Sequence, residues 1–120
     1  PGADVGSAIS MVTGELSQAF GFASADKIVL GTLGNDDSPL NYELNITNDS
    51  DANPWLSYVA ERFVSHGAMP ESRLRDYKYG GFFESSVGGL RVISINTIIY
   101  SVRHRPAEPV LEDPFGQFAW

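Results

Sequence analysis

Apolar positions change their spacing several times along the chain, and each change predicts a new element. Between residues 7 and 21, Ile9, Val12, Leu16 and Phe20 fall on one helical stripe, with Ser10, Thr13, Ser17 and Gln18 turned away. Ser7 is placed to cap this helix and Gly21 to end it, while Gly14 in its interior costs about 1 kcal/mol relative to alanine. Asp26-Lys27 then leads into Ile28-Val29-Leu30-Gly31-Thr32-Leu33, a run that ends abruptly in Gly34-Asn35-Asp36-Asp37. This pattern predicts a buried strand that stops at a sharp turn and delivers polar side chains to one end of a sheet; periodicity alone leaves a buried helix open. Helix followed by strand suggests a layered α/β domain.

The stretch from Asn45 to Asn53 is polar and reads as an exposed loop. Asp49-Ser50-Asp51 opens like a calcium-binding loop, but Pro54 and Ala60 stand where that motif needs glycine and glutamate, so calcium is rejected. Asn53 as N-cap with Pro54 at the first position instead starts a helix whose apolar face is Trp55, Leu56, Val59, Ala60 and Phe63. His66 at its end gains from the helix dipole, and Gly67 terminates it. Residues 70–78 carry Glu71, Arg73, Arg75, Asp76 and Lys78 and read as a short solvated helix or turn. A hairpin is predicted next, with strands at 79–87 and 90–101 joined by Gly88-Gly89. Val92, Ile93, Ile95, Ile98 and Ile99 leave little alternation, so both faces of the second strand should be covered. His104 reads as a solvated loop residue. Asp113-Pro114 repeats the start signal of residue 53, with too little chain after it for a stable helix.

At 120 residues, 42% of them hydrophobic and 19% charged, the chain suits one folded domain rather than disorder. A net charge of −7 disfavours nonspecific contact with nucleic acid or anionic membranes. No apolar run approaches the roughly 20 residues of a transmembrane span, and no signal peptide opens the chain; Pro1-Gly2 looks like an interior cut. With no cysteine, disulfides and thiolate metal sites are excluded. The sequons Asn45-Ile46-Thr47 and Asn48-Asp49-Ser50 would permit glycosylation in a secretory compartment.

Taken by themselves the residues supply no complete active site: no cysteine nucleophile, no Ser-His-Asp arrangement and no phosphate-cradling glycine loop. The cluster Gly34-Asn35-Asp36-Asp37 is the one strand end with groups suited to a hard or borderline divalent cation, and the same residues also make an ordinary turn.

The order of motifs resembles the calcineurin-like metallophosphoesterases, most closely their acid sphingomyelinase-like and endopolyphosphatase-like branch. Gly34-Asn35-Asp36-Asp37 is similar to the family's Gly-Asn-His-Asp/Glu or Gly-Asn-Asn-Asp signature, with aspartate at the third place. Leu90 to Thr97 resembles its strand ending in Leu-Asn-Thr, and Asp113 to Trp120 its Asp-Pro-x-Gly-Gln-x-x-Trp helix start, with Tyr79 to Phe83 fitting the hairpin. The resemblance implies an α/β (α+β) chain within a four-layer αββα sandwich of mixed sheets, spanning 1–120 as the middle section of one domain. It implies hydrolysis of a phosphodiester or phosphoanhydride, in a sphingomyelin-like lipid or polyphosphate, by a metal-bound hydroxide. Two divalent metals (zinc, manganese or iron) would serve, with Asn35 a ligand to one of them. Asp36 takes the place of the family histidine that assists the leaving oxygen, and an aspartate can donate a proton there only in an acidic compartment.

The family's Asp-x-His, Gly-Asp and Gly-His-x-His motifs do not occur in these residues, so this stretch alone should be inactive and should need the remainder of the parent domain. The implied location is secretory, lysosomal or vacuolar, or extracellular. The rival reading is a small non-catalytic α/β binding or interaction module, with Gly34 to Asp37 as plain turn chemistry.

Overall fold

The helix expected after Asn53 forms and carries the core. In the computed structural model, which describes residues 2–20, 29–105 and 112–120, helix Pro54–Ser65 (here α2) buries Leu56, Val59, Ala60 and Phe63, the spacing that puts side chains on one helix face. Pro54 occupies the first turn and His66 the C-cap, as expected. Asn53 precedes the helix, but its side chain does not cap it. It is turned back to the preceding loop, where it accepts from the Asn45 amide (2.9 Å) and donates to the Asn45 carbonyl (2.7 Å).

The first helix, α1, runs Gly2–Phe20 and begins earlier than its predicted start; Gly21 lies outside the described residues. Its packing face keeps part of the predicted stripe, with Ile9 packed against the core and Leu16 half-buried, but Val12 and Phe20 are 51% and 47% exposed while Thr13 is buried. The reason is close approach. Tyr58 of α2 comes so near Gly6 that a Cβ there would lie 2.2 Å from its hydroxyl, so the contact selects the small residue rather than the apolar stripe.

A single 3-10 turn at Glu71–Arg73 leads into α3, Leu74–Gly80, the short charged helix that was predicted. It extends through Tyr79 and Gly80, where the residue pattern predicts a strand, and ends at Gly81 with φ 75°. Tyr77 explains the continuation. It is fully buried, packed edge-on against Phe63 (5.6 Å between centroids) and tilted against Phe83 (5.9 Å), and the helix turns it inward together with Gly80, three positions on.

The hairpin forms with its turn where expected: β1, Phe83–Val87, pairs antiparallel with β2, Leu90–Ser94, in the register Phe83↔Ser94 to Val87↔Leu90. Gly88 and Gly89 both take positive φ (55° and 83°), the requirement of a two-residue turn matching strand twist. The second strand is shorter than predicted and is not covered on both faces: Leu90 is 70% and Ile93 52% exposed. It ends because Asn96 takes over the backbone bonding. The Asn96 carboxamide accepts from Ile98 N (3.0 Å) and donates to the Gly80 carbonyl (2.9 Å), side-chain bonding that competes with a ladder. Ile98–Tyr100 follow as a 3-10 turn.

Residues 29–33 do not form the predicted strand. Gly31 donates to the Ala68 carbonyl (2.9 Å) and its own carbonyl accepts from Ser94 Oγ (3.3 Å), while Thr32 Oγ1 donates to the Ile95 carbonyl (3.4 Å). The segment thus lies beside the end of β2 without a backbone ladder. Gly31 sits so close to the Phe63 ring that an added Cβ would be 2.5 Å from it. The described architecture is mixed helix and strand, with α1 and α3 on α2 and a two-stranded sheet beside them. No described helix is long and apolar enough to cross a membrane.

Candidate functional site

Gly34 to Asp37 closes on itself through paired hydrogen bonds. Asp37 N donates to the Gly34 carbonyl (3.2 Å), and Gly34 N donates back to Asp37 Oδ2 (2.7 Å). This local side-chain bonding is what aspartate and asparagine do readily after a strand or at a bend. The turn is fastened to α2 where Trp55 Nε1 donates to the Asp37 carbonyl (2.6 Å). Trp55 is itself stacked on Tyr58 at 5.0 Å. Asp37 also lies within electrostatic reach of Tyr77. Burial first, and the Asp37 carboxylate second, hold the Tyr77 hydroxyl above the ordinary tyrosine range, and that hydroxyl has no hydrogen-bond partner among the described residues.

The site residues expected from the sequence fall at the outer side of this turn. Asn35 is half-buried: its carbonyl accepts from Tyr42 N (3.0 Å), and its Nδ2 donates to Asn41 Oδ1 (3.1 Å). Asp36 is exposed at the tip. With its nitrogen held by Asn41, the Asn35 carboxamide keeps Oδ1 for another partner, and such an oxygen suits a hard or borderline divalent cation. The donor set is therefore fit to supply one ligand. Among the described residues, no three histidine, aspartate or glutamate side chains come together as a metal site.

The remaining motif pieces meet at a different place, which spacing alone did not foreshadow. Asn96 N donates to Gln117 Oε1 (2.7 Å), and Gln117 Nε2 donates to the Asn96 carbonyl (3.1 Å). Both side chains are buried. Gln117 also reaches the Tyr100 hydroxyl (3.2 Å), whose titration burial pushes upward. This pair locks the end of the hairpin to the C-terminal turn, and Thr32 joins the same region to the segment before Gly34. The sequence signal was present in the two amide residues of separate motifs; what it lacked was their pairing. Asp113 likewise does not cap the 3-10 turn Pro114–Gly116 that follows it, because its carboxylate accepts from Phe118 N (2.9 Å) and Ala119 N (3.0 Å).

His104 is half-buried rather than solvated: its Nε2 donates to the Leu44 carbonyl (2.6 Å). His66 stays at the end of α2. Among the described residues, open clefts flank these elements, two of them sizeable. The larger, about 820 Å³, lies between α3 and the C-terminal turn and includes no residue of the Gly34–Asp37 turn. A second, about 740 Å³, lies between residues 40–42 and 102–105.

Comparison with known proteins gives a compatible result. The chain is 37% identical over 90 residues to the sphingomyelinase phosphodiesterase D of Dictyostelium discoideum, a match covering 74% of this chain and 19% of that protein. No family model matches the chain, and no solved structure matches it. The chain thus spans about a fifth of the length of the curated relative it matches, and over that span it is related to a phosphodiesterase.

Proposed function

We propose that this chain is one section of a metal-dependent hydrolase acting on phosphoric ester bonds, of the calcineurin-like metallophosphoesterase type. The observation that carries the reading is the 37% identity to a sphingomyelinase phosphodiesterase, and the Gly34–Asp37 turn supports it by keeping the Asn35 side-chain oxygen for an outside partner. The substrate is a phosphodiester or phosphoanhydride, in a sphingomyelin-like lipid or in polyphosphate. The parent domain would have the four-layer sandwich of that family, and this section would need the rest of it for activity.

Asn35 would hold one of two divalent ions, which supply water activation and offset phosphate charge. The tasks of this chain's own residues are positional. Asn41 fixes the Asn35 carboxamide from one side, and Trp55 with Gly34 fixes the turn from the other. Asp36, exposed beside Asn35, would carry a proton to the leaving oxygen in an acidic compartment. A secretory or lysosomal setting agrees with this and with the exposed Asn45 and Asn48 of the two sequons, which we read as glycosylation sites.

The test uses the complete reading frame that contains this chain. With bis(p-nitrophenyl) phosphate as substrate, Asn35→Ala should lower kcat by at least about 10-fold, the scale of disturbing a metal's surroundings, without changing the melting temperature. Asp36→Asn should slow turnover at acidic pH; equal rates would remove Asp36 from the chemistry. A second reading, a non-catalytic binding module, is favoured by the self-contained bonding of the turn. It would prevail if the complete protein hydrolysed no phosphodiester with any divalent metal.

A further inference from the structure

The cleft between residues 40–42 and 102–105 adjoins the candidate site directly, because Asn41 on its first wall is bonded to Asn35. Its second wall brings Arg103 and Arg105, both exposed, to the same opening. These two guanidinium groups stand on a chain of net charge −7. The other described cations are mostly engaged: Arg73 pairs with Asp76 and Glu84, Arg91 with Glu84, Lys78 with Glu61, and Arg62 lies over the Tyr58 ring. Arg103 and Arg105 form no ion pair among the described residues.

The walls are built to hold position. Arg105 N donates to the Tyr42 carbonyl (2.9 Å) and Leu44 N to the Arg105 carbonyl (2.9 Å). His104 ties the same loop to Leu44, and Arg103 N donates to Ser101 Oγ (3.1 Å). Tyr42 between them is kept at φ 65°, a conformation that non-glycine residues adopt only when their surroundings impose it. Among the described residues, two arginines and no carboxylate line the opening. Asn41 accepts from Asn35 through its oxygen, which leaves its Nδ2 as a donor, and guanidinium groups can only donate. Two guanidiniums beside the Asn41 amide donor suit the oxygens of a phosphate, which arginine engages by paired bonds.

We propose that this cleft binds a second phosphate group of the substrate, next to the phosphoester engaged at Asn35. The neighbouring role of Asn35 rests on the phosphoesterase reading. The cleft therefore favours substrates that carry a further negative charge beside the cleaved bond, such as phosphoanhydrides, over diesters whose next group is a quaternary ammonium, which two arginines would repel.

Inorganic tripolyphosphate, titrated calorimetrically into the complete protein, tests this. The double substitution Arg103→Gln/Arg105→Gln should weaken its binding at least about 10-fold, as expected when charge-assisted hydrogen bonds are lost. Arg103→Lys/Arg105→Lys should retain more of the affinity than the glutamine pair. Circular dichroism and the melting temperature should be those of the parent, since both side chains are exposed. Undiminished tripolyphosphate binding in the folded glutamine variant would overturn the inference. So would loss of affinity for sphingomyelin vesicles with tripolyphosphate binding intact. Failure of the phosphodiesterase reading looks different: no hydrolysis of bis(p-nitrophenyl) phosphate by the parent protein, with arginine-dependent tripolyphosphate binding preserved.

Discussion

Residues 54–83 and residues 29–46 are held by different forces. In the first region Leu56, Val59, Ala60, Phe63, Tyr77 and Phe83 form one buried apolar cluster, whose stabilisation is non-directional and grows with area removed from water. The second adds Leu33 and Leu44 to that cluster, but between these anchors the chain path follows individual hydrogen bonds: Gly34 to Asp37, Asn35 to Asn41 and Tyr42, Asn45 to Asn53. The first region can absorb changes of shape at the cost of stability. The second loses its geometry when a single donor or acceptor goes, because a directional bond has no substitute nearby. Stability and candidate chemistry are thus carried by neighbouring parts, joined at Trp55, at Phe63 and through Leu33 and Leu44 in the shared core.

Substitutions that separate the two regions should differ in size and in readout. Phe63→Ala should have the largest effect, lowering stability by about 3–5 kcal/mol in urea unfolding, the cost of emptying a buried aromatic site. Phe63 supports both Tyr77 and Gly31, so a loss below about 1 kcal/mol would contradict the assignment of the core. Asn53→Ala comes next, at about 2 kcal/mol, because it strands the Asn45 amide and carbonyl that the buried carboxamide satisfies. If its real contribution were helix capping, Asn53→Ser would restore full stability; the paired contacts predict that serine restores only part.

Asp37→Ala should cost about 1 kcal/mol, yet it should greatly speed hydrogen exchange at Gly34, whose amide it accepts. Unaltered exchange would show that the turn does not depend on that carboxylate. Tyr77→Phe should have the smallest effect, within about 1 kcal/mol at neutral pH and on the stabilising side, since it removes a buried hydroxyl without a partner among the described residues. Its signature lies at alkaline pH. The folded-state pKa of Tyr77 is raised, so the unfolded chain loses this proton first, and stability declines as pH rises above about 10. The phenylalanine variant should show less of that decline in pH-dependent unfolding.

Several of these features can be read directly from the residues. Pro54 and the spacing of Leu56, Val59, Ala60 and Phe63 are enough for α2, and Gly88-Gly89 between β-rich runs is enough for the hairpin turn. The same local logic fails where one residue's environment outweighs its neighbours'. Tyr77 draws 74–80 into a helix from inside the core, although Tyr79 and Gly80 read as strand. Gly6 sets the face of α1 together with Ile9, and not with Val12 and Phe20 of the same stripe, because a neighbouring ring fills the space at Gly6. For the candidate site, Asn35 and Asp36 were legible as a polar cluster at the end of an apolar run. Their fastening by Asn41 and Trp55 was not, since the bond from Trp55 to Asp37 spans eighteen positions of sequence.

The sequence by itself determined the turn at Gly88-Gly89, the apolar face of α2 and the polar cluster at Gly34–Asp37, because periodicity and turn chemistry act over a few residues. Only the tertiary structure decided that residues 29–33 lie beside β2 without a ladder, that Asn96 and Gln117 bond to each other, and that Arg103 and Arg105 open onto the cleft next to Asn35. Those outcomes depend on which groups distant in sequence come within hydrogen-bonding or packing distance, and no local pattern encodes that distance.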